Sequence, residues 1–206
     1  MANILTDLVL NPAVAEAIFR RIHTFYRAYL ARILAAARGG IDIVLTGDDF
    51  GSQQGLLLSP ALWRRFLRPG FRDNLALIRR HGARSMHHTC GAVAALIPDL
   101  LAAGLDILQS LQPDTPGMAL ADLLAAYGDR LCFQGGISIQ STLPRGTPAQ
   151  IRQAVRRIAR RVGGRGGYIF CTAHNIQADT PVANILALLE AYRDSGPRAR
   201  ARPAGP

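Results

Sequence analysis

The chain has 206 residues, of which 49% are hydrophobic, so it is long enough to form one sizeable core and does not have the composition of a disordered protein. Its net charge of +10 comes entirely from arginine, because the sequence contains no lysine. The arginines are spread over several predicted helices and are not interleaved with aromatic residues. This distribution argues against nucleic-acid binding and favours an anionic small-molecule substrate.

Targeting and redox signals are weak. The apolar runs are interrupted well before the length of about 18 residues that a membrane span needs, and the N-terminus lacks the succession of regions found in a signal peptide. The three cysteines have no regular spacing and do not form a disulfide framework. We therefore expect a cytoplasmic protein that does not contact the membrane and whose reduced thiols are available to bind metal.

Helix and strand patterns alternate along the chain. A long helix is predicted over residues 12–38, after Asn11 and with Pro12 in its first turn, and a strand over residues 41–45 is apolar enough to be buried on both faces. The later helices are predicted over residues 59–80, 93–102, 119–127, 147–162 and 181–193, and the later strands lie within 83–91 and over 105–109, 131–136 and 166–171.

Five strand-then-helix units in succession predict an α/β protein with a parallel sheet. Five units are too few for an eight-stranded barrel, and the first predicted helix has no strand before it, so we interpret the chain as an N-terminally incomplete barrel domain over residues 1–194. Residues 195–206 are rich in Pro, Ala and Arg and are expected to form a disordered tail.

The strand within residues 83–91 ends in a possible metal site. His88 and Cys90 are two residues apart, so their side chains project from the same side of a strand. A catalytic zinc site needs about three protein ligands, and His174 or Cys171, both near the end of the last strand, could supply the third. The alternative is that His88 is an ordinary hydrogen-bonded histidine and Cys90 a small buried hydrophobic residue.

Other polar residues gather after the predicted strands, where sites form in parallel α/β proteins. Asp49 is a candidate general acid or base and Asp48 a candidate substrate contact, although either carboxylate could instead cap a local turn. Three glutamines at or near strand ends are further candidate substrate contacts: Gln53, Gln109 and Gln134.

The chemistry-bearing segments also form a recognisable series. In chain order they are Gly47-Asp48-Asp49-Phe50-Gly51 with Gln53, Ser59-Pro60, His88-Thr89-Cys90-Gly91, Gly104-Leu105-Asp106, Tyr127-Gly128, Phe133-Gln134-Gly135-Gly136-Ile137, Gly166-Gly167-Tyr168-Ile169, His174-Asn175-Ile176-Gln177, and Thr180-Pro181 with Asn184-Ile185. In combination and order, this series resembles the uroporphyrinogen decarboxylase family, which includes decarboxylases of porphyrinogens and zinc-dependent methyltransferases that act on methylated corrinoid proteins.

The resemblance implies a (β/α)8 TIM barrel of which this chain holds the C-terminal five-eighths, so a second copy or another chain would complete the barrel. It also implies zinc bound by His88, Cys90 and His174, with Cys171 as the alternative third ligand. Because the decarboxylases of the family need no metal, the His-x-Cys pair favours methyl transfer from a methylated corrinoid, on a partner protein or as substrate, to a thiol. Decarboxylation of uroporphyrinogen or a similar porphyrinogen and a non-catalytic half barrel are the alternatives.

Overall fold

The computed structural model describes residues 2–163 and 166–195, and the chain divides into two compact units between Gln109 and Ser110. Helices alternate with strands in both units, which confirms the predicted α/β class. Of the predicted disordered tail, Ser195 is the last residue of a helix and residues 196–206 lie outside the described residues. None of the described helices is both long and apolar enough to cross a membrane.

The first unit contains two N-terminal helices and the first strands. Its elements are α1 (Ala2–Leu10), α2 (Pro12–Ala37), β1 (Ile43–Gly47), α3 (Pro60–Phe66), α4 (Arg68–Arg80), β2 (Arg84–His88), a 3₁₀ turn (Ala94–Leu96), α5 (Ile97–Ala103) and β3 (Ile107–Leu111), which contains the division. The long helix after Asn11 ends within one residue of its predicted end, and α1 was not predicted.

Residues 59–80 were predicted as one helix but form two. Ser59 caps α3, because its hydroxyl oxygen accepts a hydrogen bond from the backbone N–H of Leu62 at 3.2 Å. The helix is interrupted at Leu67, and Pro69 lies in the first turn of α4. Proline has no N–H to donate and its ring clashes with the carbonyl four residues earlier, so it is tolerated in a first turn and breaks a helix interior.

The strands of the first unit pair in parallel. β1 pairs with β2 from Ile43 opposite Arg84 to Gly47 opposite His88, and β2 pairs with β3 from Met86 opposite Ile107. The prediction that the first strand is buried on both faces is wrong. Ile43 and Leu45 are 44% and 57% exposed, because the face of β1 that carries them is not covered by the described part of the chain.

The second unit contains the last two strands and the helices that pack on them. Its elements are α6 (Leu120–Tyr127), β4 (Cys132–Ile137), α7 (Thr142–Arg145), α8 (Pro148–Val162), β5 (Tyr168–Thr172) and α9 (Val182–Ser195). β4 pairs in parallel with β5. α8 begins where the Thr147-Pro148 sequence predicts, and Thr147 and Gln150 form a capping box at its start. The core lies between β4, α7, α8 and α9 and includes Ile137, Leu143 and Leu188.

Candidate functional site

The turn after β2 is held by the loop after β1. Four hydrogen bonds join them: Asp48 N–H to the His88 carbonyl (3.1 Å), Phe50 N–H to Thr89 Oγ1 (2.8 Å), Cys90 N–H to Asp49 Oδ1 (2.9 Å) and Ala92 N–H to the Ser52 carbonyl (2.8 Å). Both segments carry motif residues of the sequence, about 40 positions apart, and parallel pairing of β1 with β2 places them side by side. The position of Cys90 therefore depends on the Asp-Asp-Phe-Gly loop.

Two glycines make this close contact between the segments sterically feasible. A Cβ atom on Gly51 would lie 2.7 Å from the Cys90 carbonyl oxygen, and one on Gly91 would lie 2.3 Å from the Ser52 carbonyl oxygen. Gly91 also has a φ of +84°, a conformation that residues with a Cβ rarely adopt. Larger residues at either position would force the two loops apart and displace Cys90.

His88 and Cys90 come together as the strand geometry predicts. His88 Nε2 lies 3.3 Å from Cys90 Sγ, and both side chains are half-buried. Zinc bonds of about 2.05 Å to nitrogen and 2.3 Å to sulfur at a tetrahedral angle would place these two atoms about 3.5 Å apart. The pair therefore has the spacing of two ligands of one zinc ion, and the nitrogen and sulfur donors suit that metal.

Two carboxylates lie beside this pair with different surroundings. Asp49 Oδ1 is 3.8 Å from His88 Nε2 in addition to its hydrogen bond from the Cys90 backbone. This carboxylate therefore accepts a hydrogen bond from a residue 41 positions away in the chain. Desolvation and the negative charge of Asp49 raise the pKa of the Asp48 carboxyl group above its ordinary value.

An open depression lies along this edge of the first unit. Its volume is about 500 Å³, and its lining residues are Leu45, Thr46, Gly47, Asp48, Asp49 and His88. Asp48 and Asp49, two of the predicted site residues, thus share one concave surface with His88. The apolar side chain of Leu45 belongs to the same face of the strands, since Leu45 and Gly47 alternate with Thr46 along β1.

The adjacent histidine, His87, faces the opposite way. It is 1% exposed and stacks on the ring of Phe50 with 5.0 Å between centroids, while Phe71 meets it edge-on at 4.8 Å. Burial lowers the pKa of His87 to about 3, and the nearby His88 contributes to the same shift. His87 is therefore neutral and belongs to the core, in agreement with the lack of any site signal around it in the sequence.

The predicted glutamine contacts differ in their surroundings. Gln53 is exposed on the loop between Gly51 and Leu56, which form an isolated antiparallel bridge. Gln109 on β3 places its side-chain oxygen 2.6 Å from Nδ1 of His88. Gln134 lies on β4 in the second unit, where its Oε1 atom is buried and has no hydrogen-bond partner among the described residues.

The candidate third ligands belong to the second unit. Cys171 lies within β5 opposite Gly136, and His174 follows the strand by two residues. The backbone carbonyl of His174 accepts a hydrogen bond from Thr172 Oγ1 at 2.6 Å, and both Cys171 and His174 are half-buried. His174 thus lies just beyond the carboxyl end of its strand, as His88 and Cys90 lie at and just beyond the end of β2.

Thr89 supports the loops of the candidate site, a contribution that was not predicted from the sequence. It is 1% exposed, and its hydroxyl oxygen accepts the hydrogen bond from Phe50 that helps to hold the two loops together. The alternation of the strand places Thr89 on the face opposite to His88 and Cys90. The alternation of side chains could have predicted that Thr89 is buried. Its contact with Phe50 could not have been predicted in this way, because it depends on the pairing of β1 with β2.

Comparison with known proteins identifies the class to which this fold and these motifs belong. The family model for uroporphyrinogen decarboxylase (URO-D) matches residues 1–195, and the chain therefore belongs to the uroporphyrinogen decarboxylase family. A solved structure described as a methyltransferase from Methanosarcina mazei matches with a TM-score of 0.72 and 19% identity, covering 93% of this chain and 52% of that one. This likeness supports the assignment of the fold as about five βα units of a partial (β/α)8 barrel.

Curated relatives are named uroporphyrinogen decarboxylase. A protein from Thermus thermophilus is 30% identical over 181 residues, which cover 87% of this chain and 49% of the relative. A protein from Coxiella burnetii is 26% identical over 190 residues, which cover 89% of this chain and 48% of the relative. The chain thus spans about half the length of the curated relatives that it matches.

Proposed function

We propose that the chain carries the zinc-binding part of a methyltransferase of the uroporphyrinogen decarboxylase family, which transfers a methyl group from a methylated corrinoid to a thiol. The observation that carries this proposal is the distance of 3.3 Å between His88 Nε2 and Cys90 Sγ, which suits two ligands of one zinc ion. A purely structural histidine would not need a thiol at that distance on the same side of its strand.

His174 is the proposed third ligand, and Cys171 is its alternative. Three protein ligands leave the fourth position of a tetrahedral zinc site for the substrate thiol. His174 follows the end of β5, and active-site residues of parallel α/β folds come from the carboxyl ends of their strands. Replacing His174 and Cys171 one at a time, each with alanine, and measuring zinc affinity distinguishes these ligands.

The chemistry is simple in outline. His88 and Cys90 would hold a zinc ion, which would supply the Lewis acidity that lowers the pKa of the acceptor thiol. The thiolate would then form a carbon–sulfur bond to the methyl carbon as the carbon–cobalt bond breaks, with both bonding electrons left on cobalt. Asp49 is the proposed acceptor of the proton that the thiol releases, and its distance of 3.8 Å from the proposed ligand atom His88 Nε2 supports this role. Asp48, Gln53 and Gln134 are the proposed substrate contacts.

Decarboxylation of a porphyrinogen is the second candidate, because the curated relatives are named for it and are more similar in sequence than the methyltransferase structure. An excess of arginine would suit a substrate with several carboxylates. In that case the raised pKa of Asp48 would let this carboxyl group keep a proton at a higher pH than an ordinary aspartate. This reaction would proceed without zinc.

Metal analysis and paired assays distinguish the two candidates. We expect about one zinc ion per purified chain, lost in Cys90→Ser and retained in the control Cys132→Ser, whose thiol is on β4 in the second unit. Thiol-dependent demethylation of methylcobalamin should follow the metal content. Stoichiometric zinc in Cys90→Ser would contradict the ligand set, and zinc-independent decarboxylation of uroporphyrinogen would favour the second candidate.

A further polypeptide is proposed to cover one face of the first unit. Ile43 and Leu45 on β1 are exposed, and β1 pairs only with β2 among the described strands. An apolar stripe with helical spacing is also exposed along α2, formed by Ile18, Ile22, Phe25, Tyr29 and Ile33. Because the curated relatives are about twice as long, the proposed occupant is a polypeptide that adds parallel strands beside β1.

Light scattering over a range of protein concentrations tests the proposal that a further polypeptide covers this surface. The purified chain should associate, and Phe25→Glu should weaken the association, whereas the control Val182→Glu, at an exposed position of α9, should not. A symmetric dimer would replace the proposed occupant by a second copy of this chain. A chain purified without its partner should self-associate through this exposed apolar surface, so a stable monomer at every concentration would contradict the proposal.

A further inference from the structure

Gln109 is the residue of β3 that stands beside His88. The parallel register of β2 and β3 pairs His88 with Gln109, and the backbone N–H of Thr89 donates a hydrogen bond to the Gln109 carbonyl at 2.8 Å. This backbone pairing fixes where the Gln109 side chain begins. Its Oε1 atom then reaches Nδ1 of His88 at 2.6 Å.

The chemistry of this contact determines which histidine nitrogen carries the proton. An amide oxygen only accepts hydrogen bonds, so Nδ1 of His88 must be the donor. In a neutral imidazole, the other nitrogen then carries a lone pair. That nitrogen is Nε2, the atom that lies 3.3 Å from Cys90 Sγ.

The contact also restricts the orientation of the imidazole ring. His88 is half-buried, and Gln109 Oε1 and Cys90 Sγ lie at opposite nitrogens of its ring. Rotation of the ring by half a turn would direct a carbon atom toward Cys90 and break the short hydrogen bond to Gln109. The amide of Gln109 fixes the orientation of the His88 ring without adding a negative charge beside the site, where Asp48 and Asp49 already contribute two carboxylates.

We propose that Gln109 is a positioning residue that selects the Nδ1–H form of His88 and directs Nε2 toward the metal. This role rests on the proposed function, because it gives Nε2 a zinc ion to bind. It differs from the substrate contact predicted for Gln109 from the sequence, since the amide oxygen acts through His88. Residues that hydrogen-bond to a metal-binding histidine in this way usually contribute about 10–100-fold to metal affinity.

The test combines two Gln109 variants with two measurements. Gln109→Leu removes the acceptor at similar size, Gln109→Glu keeps an acceptor oxygen, and Gln153→Leu makes the same change at an exposed position of α8 as a control. Zinc affinity is measured by competition with a chromophoric chelator. The tautomer of His88 is measured in the metal-free protein from the nitrogen shifts and long-range couplings of its imidazole by NMR.

We expect zinc affinity to fall about 10–100-fold in Gln109→Leu and to stay near the wild-type value in Gln109→Glu and Gln153→Leu. His88 should be in the Nδ1–H form in the wild type, with the Nε2–H form appearing in Gln109→Leu. Unchanged affinity and tautomer in Gln109→Leu would overturn the proposal.

If Gln109→Leu does not fold, the tautomer of His88 in the wild-type protein still tests the proposal. An Nε2–H form of His88 there would overturn it. Failure of the proposed function has a separate signature. A wild-type protein that binds no zinc but holds His88 in the Nδ1–H form would refute the metal site and leave only the selection of the tautomer by Gln109 standing.

Discussion

The two faces of β2 give adjacent histidines opposite properties. His87 is packed between Phe50 and Phe71, and its pKa is lowered to about 3 by burial. His88 lies along an open depression, with Gln109 Oε1 close to one ring nitrogen and Cys90 Sγ close to the other. Because the residue type is the same, the difference shows that the face of the strand decides whether an imidazole packs in the core or lines the depression.

The largest expected effect is the loss of zinc affinity when His88, on one face of β2, is replaced. His88→Ala removes a proposed zinc ligand. Loss of a residue that only hydrogen-bonds to a ligand lowers metal affinity by at most about 100-fold, so zinc affinity in His88→Ala should fall by more than this. Chelator competition measures it. The matched change His87→Ala on the other face should leave the affinity of the folded protein within a few-fold of wild type, and equal losses in both variants would contradict the comparison.

The second effect concerns Asp49, where replacement should change the rate of the reaction but not the stability of the fold. Asp49→Asn keeps an oxygen that accepts the hydrogen bond from the Cys90 backbone, but it removes the proposed base, so the rate of methyl transfer should fall about 100-fold. The melting temperature should change little because Asp49 is exposed. A large fall in melting temperature with an unchanged rate would assign Asp49 a structural role.

The third effect is on stability and belongs to the His87 face. His87→Ala leaves a cavity beneath Phe50 and Phe71, and the free energy of unfolding should fall by about 2–4 kcal/mol, as for other buried aromatic residues. Urea denaturation of metal-free protein measures this. His88→Ala is the control and should cost less than about 1 kcal/mol under the same conditions, since its side chain is only half-buried.

The smallest effect concerns Asp106, which anchors Ser85, a residue on the His87 face. Burial raises the pKa of Asp106, but hydrogen bonds from the Ser85 N–H (2.9 Å) and hydroxyl (2.7 Å), and from Arg84, outweigh it and leave the pKa below its ordinary value. A lowered folded-state pKa means that the stabilisation is present above the unfolded value of about 3.9 and is lost as the pH falls through the folded value.

Asp106→Asn should therefore lower the free energy of unfolding by about 1–2 kcal/mol at pH 7 and by less at pH 3. Urea denaturation at the two pH values measures the difference. Asp114→Asn, at another hydrogen-bonded aspartate but in the second unit, is the control for general charge effects. A loss in Asp106→Asn that is the same at both pH values would show that the carboxylate charge does not contribute.

Local signals in the sequence were sufficient to predict several elements. Thr147-Pro148 marked the start of α8, whose end at Val162 agrees with the prediction, because capping and proline placement depend only on neighbouring residues. β1 and β3 begin two residues later than predicted, at Ile43 and Ile107. The start of a strand depends on hydrogen bonds to its neighbour, and composition alone does not specify them.

In the candidate site, too, one feature followed from the sequence and others depended on the tertiary structure. The spacing of His88 and Cys90 by itself determined that they share a side of their strand, because side chains alternate with a period of two. Tertiary structure decided that Asp49 holds Cys90 and that Gln109 accepts from His88. These partners are 41 and 21 residues apart in the chain, and the register between parallel strands, set by packing of the whole unit, brings them within hydrogen-bonding distance.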